Sequence, residues 1–115
     1  MDENGKLLRI YIGESAHRHG DPLYHVIIKT IKGLGLAGAT VLRGIEGFGA
    51  NSVIHSTRIL RLSEDLPVVI EVVDTEEKIR ELVEILDQKI DTGILMTLQD
   101  VEIIKYSHDK KGSPQ

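Results

Sequence analysis

An α+β sandwich with the element order β-α-β-β-α-β is predicted by three observations on this 115-residue sequence. Two segments repeat apolar residues at helical spacing, several others show the alternation or β-branched content of strands, and turns bearing glycine or proline separate them. The length fits one domain with a two-layer core and is too short for two independent ones.

The first strand is read over Lys6–Gly13, where Leu8, Ile10 and Ile12 alternate with Leu7, Arg9 and Tyr11. A polar loop from Glu14 leads to a helix that is expected to start with Asp21 as N-cap and Pro22 as first helical residue. Its stripe is Leu23, Val26, Ile27, Ile31 and Leu34, and Gly33 and Gly35 mark its end. The second strand covers Ala39–Glu46 and runs into Gly47-Phe-Gly49. Strand pattern returns over Thr57–Leu62, breaks at Ser63–Pro67 and resumes as Val68–Val73, either as a hairpin partner with an interrupted return or as two pieces of one long strand. Asp74 and Glu77 have the spacing of a capping box for a second helix, whose stripe is Ile79, Leu82, Val83, Leu86 and Ile90. Gly93 ends that helix, and a final strand runs through Ile94–Leu98 and Val101–Tyr106. Residues 1–5 and 107–115 lack periodicity and are expected to be flexible ends around a domain spanning 6–106.

This order is the ferredoxin-like arrangement: a four-stranded antiparallel sheet with two helices on one face. The other face would carry Leu7, Tyr11, Val69 and Val73, too apolar to leave wet without a reason. Self-association through that face is expected, and a ligand site would then fall between subunits.

Composition narrows the function classes. A net charge of −4, with bases interspersed among acids, lacks the basic stripe of a nucleic-acid surface. Cysteine is absent, which excludes disulfides, thiolate metal sites and a cysteine nucleophile. No apolar run approaches the roughly 18 residues of a membrane span, and the start Met-Asp-Glu-Asn-Gly is unlike a signal peptide. A cytoplasmic location is expected.

Gly47 and Gly49 permit positive φ and close backbone approach to a ligand, so a strand that ends in Gly47-Phe-Gly49 can launch a binding loop. With its neighbours the motif goes further. Leu36-Ala-Gly-Ala-Thr-Val-Leu-Arg-Gly-Ile-Glu-Gly-Phe-Gly49, Leu66-Pro-Val-Val-Ile-Glu-Val-Val-Asp74 and Arg9-Ile-Tyr-Ile-Gly-Glu-Ser15 resemble the PII-like superfamily, most closely its uncharacterised branch. The resemblance covers about Leu7 to Tyr106. It implies a homotrimer that binds an adenine nucleotide (AMP, ADP or ATP) between subunits and reports it to a protein target through a long loop, with no catalysis and no cofactor required.

Carried over by position, the resemblance places Gly47, Phe48, Gly49 and Ala50 beside the nucleotide at the start of the long loop. Glu71 and Val73 match the third-strand segment that lies against the base, and Thr92 and Gly93 match the start of the phosphate-binding loop. Ile12 and Gly13, at the end of the first strand, are assigned to the site with them, as are Arg43 and Arg58, which flank the loop. Each arginine could meet a phosphate or pair with Glu71 or Glu46. The sequence departs from the pattern where glycine-aspartate-glycine-lysine should follow Gly93 and Met96-Thr-Leu-Gln99 stands instead, where Pro67 replaces a lysine, and where the C-terminal arginines are missing. Fewer cations would weaken triphosphate binding. The loop tyrosine that some PII proteins modify has no counterpart between Gly49 and Leu66.

Other constellations are thinner. His17-Arg18-His19 could bind a metal or a phosphate, or be an exposed polar loop. With His55, the two histidines motivate an alternative reading as a CutA-like trimer for divalent metal. Phe48, the only phenylalanine, fits a plug at a loop mouth better than a core residue, and no nucleophile and base pair is visible. Residues 50–57 offer only Val53 and Ile54 for burial, so this loop is expected to be mobile until a ligand or partner orders it.

Overall fold

The computed structural model describes residues 4–49 and 65–107. The expected strand over Thr57–Leu62, the mobility expected of residues 50–57, and Ala50, His55 and Arg58 all lie outside them.

In chain order the elements are β1 (Asn4–Gly13), β2 (His17–Arg18), β3 (Asp21–Pro22), α1 (Leu23–Gly33), β4 (Thr40–Arg43), β5 (Pro67–Asp74), α2 (Glu76–Lys89) and β6 (Leu95–Glu102). The main sheet is antiparallel with order β4-β5-β1-β6, the split arrangement expected of a ferredoxin-like chain. In the β1–β5 register Leu8 faces Val72, Ile10 faces Ile70 and Ile12 faces Val68. All six are buried. With Leu23, Ile27 and Ile31 of α1 and Ile79, Leu82 and Leu86 of α2 they form one core between sheet and helices. Fully burying a side chain of this size contributes about 1.5–3 kcal/mol, so this layer dominates the stability of the fold.

Helix α1 starts one residue later than its sequence suggests, because Asp21 and Pro22 pair with Arg18 and His17 in the β2–β3 ribbon. Asp21 is therefore no N-cap; Pro22 occupies that position without a side-chain bond, and the Leu23 N–H donates to Ala16 O at 2.8 Å. The ribbon turns through His19 (φ 53) and Gly20 (φ 87), and positive φ at both central positions marks a two-residue type I′ hairpin. The far end of α1 closes in a Schellman motif: Gly35 at φ 77 sends its N–H to Lys32 O, and Leu36 sends its N–H to Ile31 O.

The cap of α2 also shifts. Thr75, not Asp74, is the N-cap, and its hydroxyl accepts from Lys78 N at 3.4 Å. Asp74 is only 2% exposed and accepts from Ala37 N at 2.8 Å and Thr75 N at 2.7 Å. Its carboxylate thus fastens the chain after α1 to the end of β5, a tertiary use that the local spacing to Glu77 conceals. The final strand is one piece, Leu95–Glu102, and it runs through the residues that separate the two segments expected from sequence.

The face away from the helices is open. Leu7, Arg9 and Tyr11 of β1 and Val69 and Glu71 of β5 are half-buried there, while Val73 and Leu42 are exposed. A polar row crosses its centre: Arg9 Nε lies 3.0 Å from Glu71 Oε2, and Arg9 Nη1 lies 3.2 Å from Gln99 Oε1. Among the described residues no helix is long and apolar enough to cross a membrane.

Candidate ligand clefts

Two clefts, each of about 490 Å³, lie toward opposite ends of the sheet. The first opens between the loop that follows β1 and the turn that follows α2, and Gly13, Arg18, Lys89, Thr92 and Gly93 line it. Its floor is held by Asp65, whose Oδ1 accepts from Ser15 N at 3.2 Å and from Ser15 Oγ at 2.9 Å. Gly13 is needed for this closeness, since a Cβ there would lie 2.4 Å from Asp65 Oδ1. Across the cleft, α2 ends at Lys89, and the turn reaches β6 through Gly93 at φ 78, a conformation that suits glycine.

The second cleft is lined by Ala37–Thr40 before and within β4, by Glu71 and Val73 on the open face, and by Ile103, Lys105 and Tyr106 after β6. Ile103 folds over Gly5, where a Cβ would meet its Cδ1 at 2.7 Å. That close approach directs the chain after β6 back across the end of the sheet.

A third feature is the turn that leaves β4. Gly44 donates to Pro67 O at 2.7 Å, and Gly47 adopts φ 154 against the Pro67 ring. Phe48 beyond it is 75% exposed and lies outside the core of this chain.

The site residues read from sequence are therefore divided. Gly13, Thr92 and Gly93 share the first cleft, and Glu71 and Val73 share the second. Ile12 is buried in the core and lines neither cleft. Arg43 lies 3.5 Å from Glu14 Oε2, a partner outside the alternatives left open for it, and Glu71 pairs with Arg9 instead. Arg43, Gly47, Phe48 and Gly49 line neither cleft of this single chain. Met96–Gln99, which stand where a phosphate-binding loop is expected, are paired with β1 inside β6. The turn before them is correspondingly short.

Sequence reasoning missed Ser15, Asp65, Lys89, Lys105 and Tyr106 as cleft residues, and left Arg18 open between a metal or phosphate ligand and part of an exposed polar loop. Only Arg18 had a usable signal, the His19-Gly20 pair of a two-residue hairpin. Among the described residues no three His, Asp or Glu side chains come together as a metal site.

Asp100 is held below its ordinary value of 3.8, first by its hydrogen bond from Lys6 and then by the charge of that amine. The pair lies beside neither cleft.

Comparison with known proteins agrees with this architecture. The DUF190 family, described as Uncharacterized ACR, COG1993, matches residues 5–103. A UPF0166 protein of Aquifex aeolicus is 41% identical over 99 residues, covering 86% of this chain and 92% of the relative. A UPF0166 protein of Methanocaldococcus jannaschii is 39% identical over 100 residues, covering 87% and 92%. Among solved structures, a putative PII-like signaling protein from Thermus thermophilus superposes with TM-score 0.62 at 18% identity, over 88% of this chain and 91% of that one. CPII bound to ADP, AMP and acetate, from Thiomonas intermedia, superposes with TM-score 0.65 at 14% identity, over 89% and 90%. The chain belongs to the DUF190 family, and it shares its fold with PII-like structures.

Proposed function

We propose that this chain is a non-enzymatic PII-like sensor, a cytoplasmic homotrimer that binds an adenine nucleotide where two subunits meet and signals its presence to a protein target. The observation that carries this reading is the division of the candidate residues. Gly13, Thr92 and Gly93 lie in one cleft, Glu71 and Val73 in another toward the opposite end of the sheet, and the apolar, open sheet face between them invites further copies of the chain. A ligand touched by both sets must then be shared by two chains. Support for the ligand class comes from CPII, a fold neighbour bound to ADP and AMP.

In this reading Val73 and the exposed backbone of 37–40 receive the base, Glu71 stands at the edge of the same cleft, and the 89–93 turn of the adjoining subunit receives phosphate. Gly47, Phe48 and Gly49, with Ala50 after them, launch the segment through which occupancy is reported, and Arg43 and Arg58 flank it. The lack of a glycine-rich lysine loop favours a mono- or diphosphate over a triphosphate.

Calorimetric titration of the full chain with AMP, ADP and ATP tests the reading, with sedimentation of the same samples. Binding of one nucleotide per subunit to a trimer is expected. Absence of heat and of thermal shift with all three would overturn it.

A further inference from the structure

We infer that Arg18 is the residue that engages the phosphate in the first cleft, supplying the cation that Met96–Gln99 lack. The inference rests on the nucleotide reading for the identity of the ligand, but its argument comes from the ribbon and the end of α2.

The type I′ turn at His19 and Gly20 fixes β2 against β3, so Arg18 is held on a hairpin rather than on a free loop. Arg18 lines both the first cleft and a neighbouring one of about 370 Å³, as does Lys89. Arg18 Nε is sealed from solvent and has no hydrogen-bond partner among the described residues. A buried donor left unpaired is unfavourable, and although Asp21 faces Arg18 across the ribbon, among the described residues no ion pair involves Arg18. Nε and one terminal nitrogen form the edge of the guanidinium that suits two oxygens of a phosphate or carboxylate. For that edge to be used the guanidinium must turn on its stem into the cleft, exchanging an unpaired donor for a paired one.

The cleft carries two cations, Arg18 and Lys89, and two acids, Asp65 and Asp91, and the hydrogen bonds around them leave the cations the more available to a ligand. Among the described residues Lys89 has only a neutral partner, Thr30 Oγ1 at 3.0 Å, which it can exchange for a charged ligand. Asp65, the acid on the cleft floor, already accepts the N–H and the hydroxyl of Ser15. Thr92 adds a hydroxyl to the same wall.

The test compares the full-length chain with its Arg18→Gln variant in calorimetric titrations against adenosine, ADP and inorganic pyrophosphate. The native chain is expected to bind ADP more tightly than adenosine. Arg18→Gln is expected to weaken ADP and pyrophosphate by roughly tenfold or more while leaving adenosine unchanged, as loss of a charge-assisted contact predicts. If Arg18→Gln fails to fold by circular dichroism, Arg18→Met, which keeps the aliphatic stem, takes its place. Equal ADP affinity in native and folded variant overturns the role of Arg18 and leaves the nucleotide reading standing. Binding of pyrophosphate that depends on Arg18, with no binding of adenosine or ADP, overturns the nucleotide reading and supports the anion site. No binding of any of the three to the native chain overturns both.

Discussion

The ring of Pro67 lies directly against Gly47: a Cβ at residue 47 would come within 2.9 Å of Pro67 Cγ. A Cβ at Gly44 would approach the same atom to 2.8 Å, while the Gly44 N–H is bonded to Pro67 O. One proline thus defines the exit from β4 by steric contact on two sides, and the chain answers with glycine at both.

Gly47→Ala is accordingly expected to destabilise the protein by about 1–2 kcal/mol, from the positive φ and the clash together. Adding Pro67→Ala should recover the steric part and leave the backbone strain. Urea unfolding of the two variants measures this; a Gly47→Ala midpoint equal to that of the native chain would show that the turn simply relaxes.

Asp74 and Thr75 offer a comparison of adjacent residues. Asp74→Ala leaves the Ala37 and Thr75 N–H groups without their buried acceptor and is expected to cost about 2–3 kcal/mol. Thr75→Ala removes a cap whose bond is long, 3.4 Å, and is expected to cost about 1 kcal/mol or less. The reverse order in chemical denaturation would contradict the assignment of Asp74 as the tertiary fastener.

Protonation of Asp100 provides a pH test. Its folded-state value is depressed by Lys6, so the stabilisation it gives is present above the ordinary carboxylate value of 3.8 and is lost as pH falls through the depressed one. Lys6→Met should move the Asp100 midpoint up toward 3.8, as followed by carboxyl NMR shifts. A midpoint that ignores the substitution would mean that the pair does not persist in solution.

Leu42 is 48% exposed and faces Val69 across the β4–β5 ladder on the open side of the sheet. If the chain forms the trimer proposed above, Leu42→Asp is expected to convert it to monomers in sedimentation velocity while leaving its circular dichroism unchanged. A native chain that sediments as a monomer would remove the premise.

Sequence periodicity made the main sheet and both helices legible because burial on one face imposes a regular spacing. Ile10 and Ile70, or Ile79 and Leu82, announce themselves in this way. The caps were misread for a related reason. Asp21 and Asp74 have good local geometry for capping, yet one is drawn into a ribbon with Arg18 and the other into a contact with Ala37, and neither partner is signalled by nearby sequence. At the clefts, Thr92, Gly93 and Glu71 were legible through resemblance, whereas Lys89 and Asp65 were not. These two become cleft residues only because the fold brings the end of α2 beside the loop after β1.

The Arg9–Glu71–Gln99 row also determines what the open face will refuse. A uniformly greasy surface laid across it would strip water from a charged pair and offer nothing in exchange, at a cost that grows with the completeness of the seal. A surface with polar groups opposite the row and aliphatic groups on either side meets no such penalty. The same three side chains therefore act as a discriminator, repelling indiscriminate sticking while the apolar fields around them stay available to a partner in the correct register.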